Sequence, residues 1–171
     1  MGDIGLPIPW GIVPTERLFR VVTGDDPAAG AEVSVAVPGG ALWEVYSIRV
    51  QFTTDATVLS RNVRLTYDDG MTEFYRTALP ADVPAGQNFP LSFADYGAWA
   101  NFGNISLGVF IPLASMPLLP GYRIRTNTAN LQAGDNYGAP VLFVAEYQVR
   151  GLERAVERYE RAVAEAIAAP G

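Results

Sequence analysis

The sequence predicts an all-β sandwich, and three observations carry that prediction. Between residues 16 and 149, apolar and polar side chains alternate in short runs, the period of a half-buried strand. Clusters of Gly, Pro, Asp and Asn separate the runs, and these residues bend the chain. No run of helical period interrupts them before residue 151, so strands precede helix instead of alternating with it, which argues against a doubly wound α/β sheet. The chain divides into an extended N-terminal arm (1–15), a β-sandwich domain (16–150) and a C-terminal helix (151–171).

The arm holds Pro7, Pro9 and Pro14. Proline fixes φ and removes a donor, so this segment is neither helix nor central strand. Ile8, Trp10 and Ile12 make it too apolar to float free in water. It either folds over its own sandwich or lies on a neighbouring subunit with Trp10 as anchor, because buried aromatics carry much of an interface's energy. A first strand spans 16–23, where Leu18 and Val22 share a face and Phe19 and Val21 complicate the alternation. Residues 24–30 are a turn, and strand 31–37 sets Val33, Val35 and Val37 against Glu32, Ser34 and Ala36.

The longest strand, 42–53, offers two parities. The set Leu42, Tyr46, Ile48, Val50 and Phe52 is expected to face the core, with Trp43 and Val45 on the other side. Strand 58–67 turns Val63, Leu65 and Tyr67 inward and leaves Arg61 and Arg64 at the edges or outside. Asp68-Asp69-Gly70 makes a hairpin turn into strand 71–79, since Asp and Gly tolerate positive φ.

Residues 80–104 are irregular apart from a short strand at 88–93. Within the 94–104 loop stand Tyr96, Trp99 and Phe102, which form the loop's own small core, a contact patch, or a stacking platform for sugars. Strand 105–112, a proline-rich crossing at 113–121, strand 122–128, a turn at 132–136 and a last strand at 141–149 complete the domain. Eight or nine strands in two sheets is the jelly-roll solution. Past residue 151, Leu152, Val156, Tyr159, Val163 and Ala166 follow a heptad seam, with Glu and Arg filling the other face. An amphipathic helix this short is not stable alone. Its seam rests on its own sandwich or on other subunits.

Composition narrows the chemistry. The 171 residues suit one domain with appendages, large enough to need no disulfide or metal staple. Net charge is −6, and all twelve basic residues are Arg. An acidic chain without a basic cluster is a poor binder of nucleic acid. His, Cys and Lys are absent. Without them there is no Ser-His-Asp triad, no ordinary zinc site and no Schiff-base lysine. The first residues lack the basic region and apolar core of a secretory signal. The apolar stretch 108–121 is broken by Pro112, Pro117 and Pro120, too short and interrupted to span a bilayer. Asp68-Asp69 and Asp135-Asn136 read as turn residues, since a calcium loop needs a denser set of oxygens. Glu44, Glu73 and Asp95 are distant carboxylates that a glycosidase could pair, but no local motif supports that. The expectation is a protein with no catalytic residue, no cofactor, no metal, and no nucleic-acid or membrane partner.

Two stretches carry a resemblance. One is Trp43-Glu44-Val45-Tyr46-Ser47-Ile48-Arg49-Val50, followed by Thr54-Asp55-Ala56-Thr57-Val58 and Arg61-Asn62-Val63-Arg64-Leu65. The other runs through Ile111-Pro112-Leu113, Leu118-Leu119-Pro120-Gly121-Tyr122-Arg123-Ile124 and Leu131-Gln132-Ala133-Gly134-Asp135. Together they resemble small β-sandwich accessory proteins of tailed-phage particles. That resemblance implies a virion location and a non-enzymatic role as an oligomeric capsid decoration or cement protein, a homotrimer bound to the major capsid protein or other virion proteins. Alternatives are a neck, tail or head-fibre structural protein, or a carbohydrate-binding module using the 94–104 loop. The expected interface residues are Ile8, Trp10, Ile12, Tyr96, Trp99, Phe102, Leu152, Val156, Tyr159 and Val163.

Overall fold

The computed structural model describes residues 17–95 and 109–148, which form eleven strands and no helix. The expected arm, the tip of the aromatic loop and the C-terminal helix lie outside the described residues, and so do all ten expected interface residues. In chain order the strands are β1 (Arg17–Thr23), β2 (Ser34–Ala36), β3 (Ala41–Thr53), β4 (Asn62–Asp68), β5 (Glu73–Ala78) and β6 (Asn88–Ala94). They continue with β7 (Val109–Pro112), β8 (Pro117–Leu118), β9 (Arg123–Ala129), β10 (Asn136–Tyr137) and β11 (Val141–Gln148).

Two sheets face each other. The larger has the order β1-β11-β3-β6-β7, with β8 and β10 pairing to opposite ends of β3; the smaller has the order β2-β9-β4-β5. The long β3 is the spine of the larger sheet. β11 and β10 share one side of it, β6 and β8 the other. Every pair is antiparallel except β6 with β7. Parallel neighbours need a long crossover, and the connection through residues 96–108 supplies its length.

The core lies between the sheets. Phe52, Phe93, Leu91, Leu142 and Val144 from the larger sheet meet Val63, Leu65, Tyr67 and Ile124 from the smaller, all essentially fully buried. Each such side chain contributes roughly 1.5–3 kcal/mol by leaving water. The inward set expected for β4 is correct. So is that of residues 31–37, where Val33, Val35 and Val37 are buried although only three residues join the ladder.

Two expectations are corrected. The inward face of β3 is not a single parity: Trp43 and Val45 are buried at its start, and Ile48, Val50 and Phe52 further on. The cause is a bulge. Phe143 pairs with Ser47 but Val144 pairs with Val45, so Tyr46 is passed over. One extra residue flips every later side chain to the other face. Leu42 and Tyr46, expected inside, are only half-buried. The second correction concerns 58–61. Val58 and Leu59 are exposed and precede the strand, whereas Arg61, expected at an edge or outside, is completely buried.

Candidate functional site

The larger sheet carries a cluster of large apolar side chains on its outer face. The β1–β11 register sets Arg17 opposite Tyr147, Phe19 opposite Ala145, Val21 opposite Phe143 and Thr23 opposite Val141. These odd-numbered residues share the face away from the core, because Leu142 and Val144 occupy the inner one. Phe19 is 58% exposed and Val21 69% exposed, with Val141 and Phe143 also open to solvent. The bulge turns Tyr46 to the same place. Phe19 stacks on Phe143 at 5.7 Å between ring centroids, and Tyr46 lies 5.9 Å from each.

A polar rim borders this patch. The Arg17 guanidinium sits 4.9 Å from the centre of the Phe19 ring, donates to the Tyr46 hydroxyl, and reaches the Glu44 carboxylate at 3.3 Å. The Tyr147 hydroxyl donates to the same Glu44 oxygen at 3.0 Å. Residues 1–16 and 149–171 join the sandwich beside this rim, because Arg17 and Tyr147 are cross-strand neighbours.

A cleft of about 390 Å³ opens between the edges of the two sheets, where Arg20, Val22, Trp43 and Glu146 meet Ser34 and Val35. Glu146 is buried, and its carboxylate accepts from Trp43 Nε1 at 3.0 Å and from Gln148 Nε2 at 3.0 Å, with Arg20 Nε at 3.2 Å. These partners tie β1, β3 and β11 together through one carboxylate.

The strongest electrostatic feature is a closed clamp. Arg61 Nε and Nη2 each donate to Asp135 at 3.0 Å, Nη2 also reaches Asp55 at 2.5 Å, and Nη1 donates to the carbonyls of Thr57 at 2.8 Å and Leu59 at 2.5 Å. All five guanidinium hydrogens are thus engaged. Asp135 also accepts from the backbone amides of Asp55 and Gln132, both at 2.8 Å. Burial alone pushes the Asp135 carboxyl up. The Arg61 hydrogen bonds, the two amides and the Arg61 charge outweigh it and hold the group below the usual carboxylate range. Hydrogen bonding to Asp135, and the charges of Asp135 and Asp55, hold the Arg61 guanidinium still more firmly protonated, against the opposing effect of burial. With its donors and acceptors matched, this cluster pins loop 55–59 to the 130–135 turn.

Three more carboxylates, Asp68, Asp69 and Glu73, also have partners. Asp68, expected to be a plain turn residue, is buried, 2.7 Å from Arg123 Nε and 3.6 Å from Arg125 Nη1. Its neighbour Asp69 does serve the turn, accepting from the amides of Met71 and Thr72 at 2.8 and 2.7 Å. Those bonds lower its pKa. Glu44 and Glu73 lie in different sheets, and Glu73 pairs with Arg76 at 2.6 Å. Among the described residues, no three acidic side chains converge in a way that would hold a metal ion.

The surface around Phe19, Val21, Tyr46 and Phe143 was not among the expected contact residues. Its signal was present in strand 16–23, where apolar side chains occupy both parities. A strand at a sheet edge with both faces apolar has one face left over. No protein-family model matches the chain, and no curated protein does. Among solved structures it is similar to the crystal structure of dimeric latent PorU from Porphyromonas gingivalis, with a TM-score of 0.39 and 9% identity. That match covers 77% of this chain and 13% of the PorU chain, and it is too slight to carry a functional argument.

Proposed function

We propose that this chain is a structural protein of a phage particle, without enzymatic activity, which binds and stabilises the capsid as an oligomeric decoration protein. The observation that carries the reading is the exposed aromatic and aliphatic patch around Phe19, Val21 and Phe143, beside which both terminal segments join the sandwich. Contiguous exposed apolar surface of this kind marks protein–protein contact. Apolar side chains in both terminal segments extend the material available for that contact. The strand connectivity supports the jelly-roll reading, since it lays eight strands as β1-β11-β3-β6 over β2-β9-β4-β5. The phage assignment itself rests on the resemblance of the two sequence stretches.

The test is the protein content of gradient-purified particles released by cells encoding this chain. Its presence in heads at a stoichiometric ratio to the major capsid protein supports the reading. Its absence from particles, while abundant in the lysate, overturns it. Deleting residues 1–14 or 151–171 is expected to weaken attachment while the sandwich still folds.

A further inference from the structure

We infer that the free edge of β1 pairs with β1 of a second copy of this chain, about a two-fold axis passing beside Arg20. This deepens the assembly reading by naming a partner and a contact. The first argument is the direction of the main-chain groups. Thr23 lies opposite Val141, and at the next position the Gly24 amide donates to the Pro140 carbonyl at 2.9 Å. Bonded and non-bonded pairs alternate along an antiparallel ladder. Leu18, Arg20 and Val22 therefore exchange their main-chain bonds with β11. The N–H and C=O groups of Arg17, Phe19, Val21 and Thr23 point the other way, to an edge that no strand covers among the described residues.

The second argument is that β1 is complementary to itself. Antiparallel pairing about Arg20 sets Phe19 opposite Val21 of the second copy and Arg17 opposite Thr23, in the outward-pointing, bonded class. On the other face it sets Leu18 opposite Val22. The register forms roughly eight main-chain hydrogen bonds and joins the two outer apolar patches into one. Exposed large side chains at Phe19 and Val21 are covered in the process.

The third argument is that the usual defences are missing or offset. Sheet edges are commonly blunted by charged side chains, Pro or a bulge. β1 contains no Pro, its pairing with β11 runs without a shift, and of its two charges Arg17 lies 3.3 Å from Glu44. Arg20 would meet its own copy at the axis, but Glu146 lies 3.2 Å from it and offsets that repulsion. The chain's own residues 1–16 make a poorer partner strand, since Pro7, Pro9 and Pro14 remove donors.

The experiment is sedimentation equilibrium of the full chain, with three variants. The parent is expected to be a dimer in reversible equilibrium. Val21→Pro removes one outward N–H and no bond to β11; Val21→Arg places a charge opposite Phe19 of the second copy. Each is expected to weaken association about tenfold or more, with the thermal transition showing whether the fold is kept. Should the proline variant fail to fold, Val21→Arg still tests the contact. Because the chain has no Cys, Arg20→Cys gives a clean readout: oxidation is expected to yield a covalent dimer through the residue at the axis. A monomer at every concentration overturns the inference. So does a trimer, or an oligomer unchanged by both Val21 variants, and these two results leave the particle reading intact. A dimer that never enters particles defeats the particle reading and spares the edge contact.

Discussion

Replacing Asp135 by Asn changes one oxygen for one amide in the most completely partnered charge cluster of the molecule. Asp135 accepts four hydrogen bonds: two from Arg61, one from the Asp55 amide and one from the Gln132 amide. An asparagine keeps one acceptor oxygen and turns an NH₂ group toward donors. Two of the four bonds are lost, and Arg61, with no exposed side-chain surface, keeps its charge without a bidentate counter-ion. Breaking a buried pair from one side costs about 3–5 kcal/mol. For a chain of this size that lowers Tm by roughly 6–20 °C, at about 2–4 °C per kcal/mol. Urea denaturation and calorimetry measure both quantities. The double variant Arg61→Met with Asp135→Leu removes both fully buried charges but takes partners from the Asp55 carboxylate, two amides and two carbonyls, so it is expected to recover only part of the loss. A cost below about 1 kcal/mol for Asp135→Asn, or a double variant as unstable as the sum of its parts, would refute the clamp. The pH dependence has a definite sign. A carboxyl held below its unfolded value stabilises the fold above that value, and the contribution disappears as pH falls through the folded one. The parent should therefore lose stability below about pH 4, and Asp135→Asn should flatten that limb.

Other substitutions test separate features. Tyr67 is fully buried and its hydroxyl has no hydrogen-bond partner; Tyr67→Phe should be neutral or stabilising by about 1 kcal/mol in urea titrations, and a clear loss would reveal a hidden partner. Gly30 and Gly40 both have positive φ, at 74° and 76°, but a Cβ at Gly30 would lie 2.9 Å from the Ala133 backbone whereas one at Gly40 meets nothing within 4 Å. Gly40→Ala should cost about 1–2 kcal/mol from the backbone alone, and Gly30→Ala visibly more; equal costs would show that the 133 turn yields freely. At concentrations where the chain is monomeric, Val21→Thr should change stability by less than about 0.5 kcal/mol, because that side chain faces water in the single chain, and a larger thermal shift there would mean that the outer face is covered in the monomer.

Much of the β-sandwich was readable along the chain because strand alternation is a local signal. Val33, Val35 and Val37 face inward as their spacing requires, and so do Val63, Leu65 and Tyr67. The signal failed where a partner strand altered the phase. Nothing local in Trp43-Glu44-Val45-Tyr46-Ser47-Ile48 marks the extra residue, which exists only because β11 pairs on both sides of it. It failed again at Arg61. An arginine with alternating neighbours reads as exposed, and its burial depends on Asp135, 74 residues away in sequence. The interaction surface is half legible: strand 16–23 carries apolar residues on both faces, but which face is left over follows from the side on which the core packs, marked by Leu142 and Val144.

The amino-acid sequence by itself determined the strand-rich class, the inward residues of the regular strands, and the absence of imidazole, thiol and amine chemistry, since each follows from residue type and near-neighbour spacing. Tertiary structure decided the phase of β3, the burial of the Arg61 clamp, and the exposure of Phe19 and Val21 on an edge that no described strand covers. Those three depend on which distant segments meet, and a strand's own residues do not encode the identity of the strand beside it.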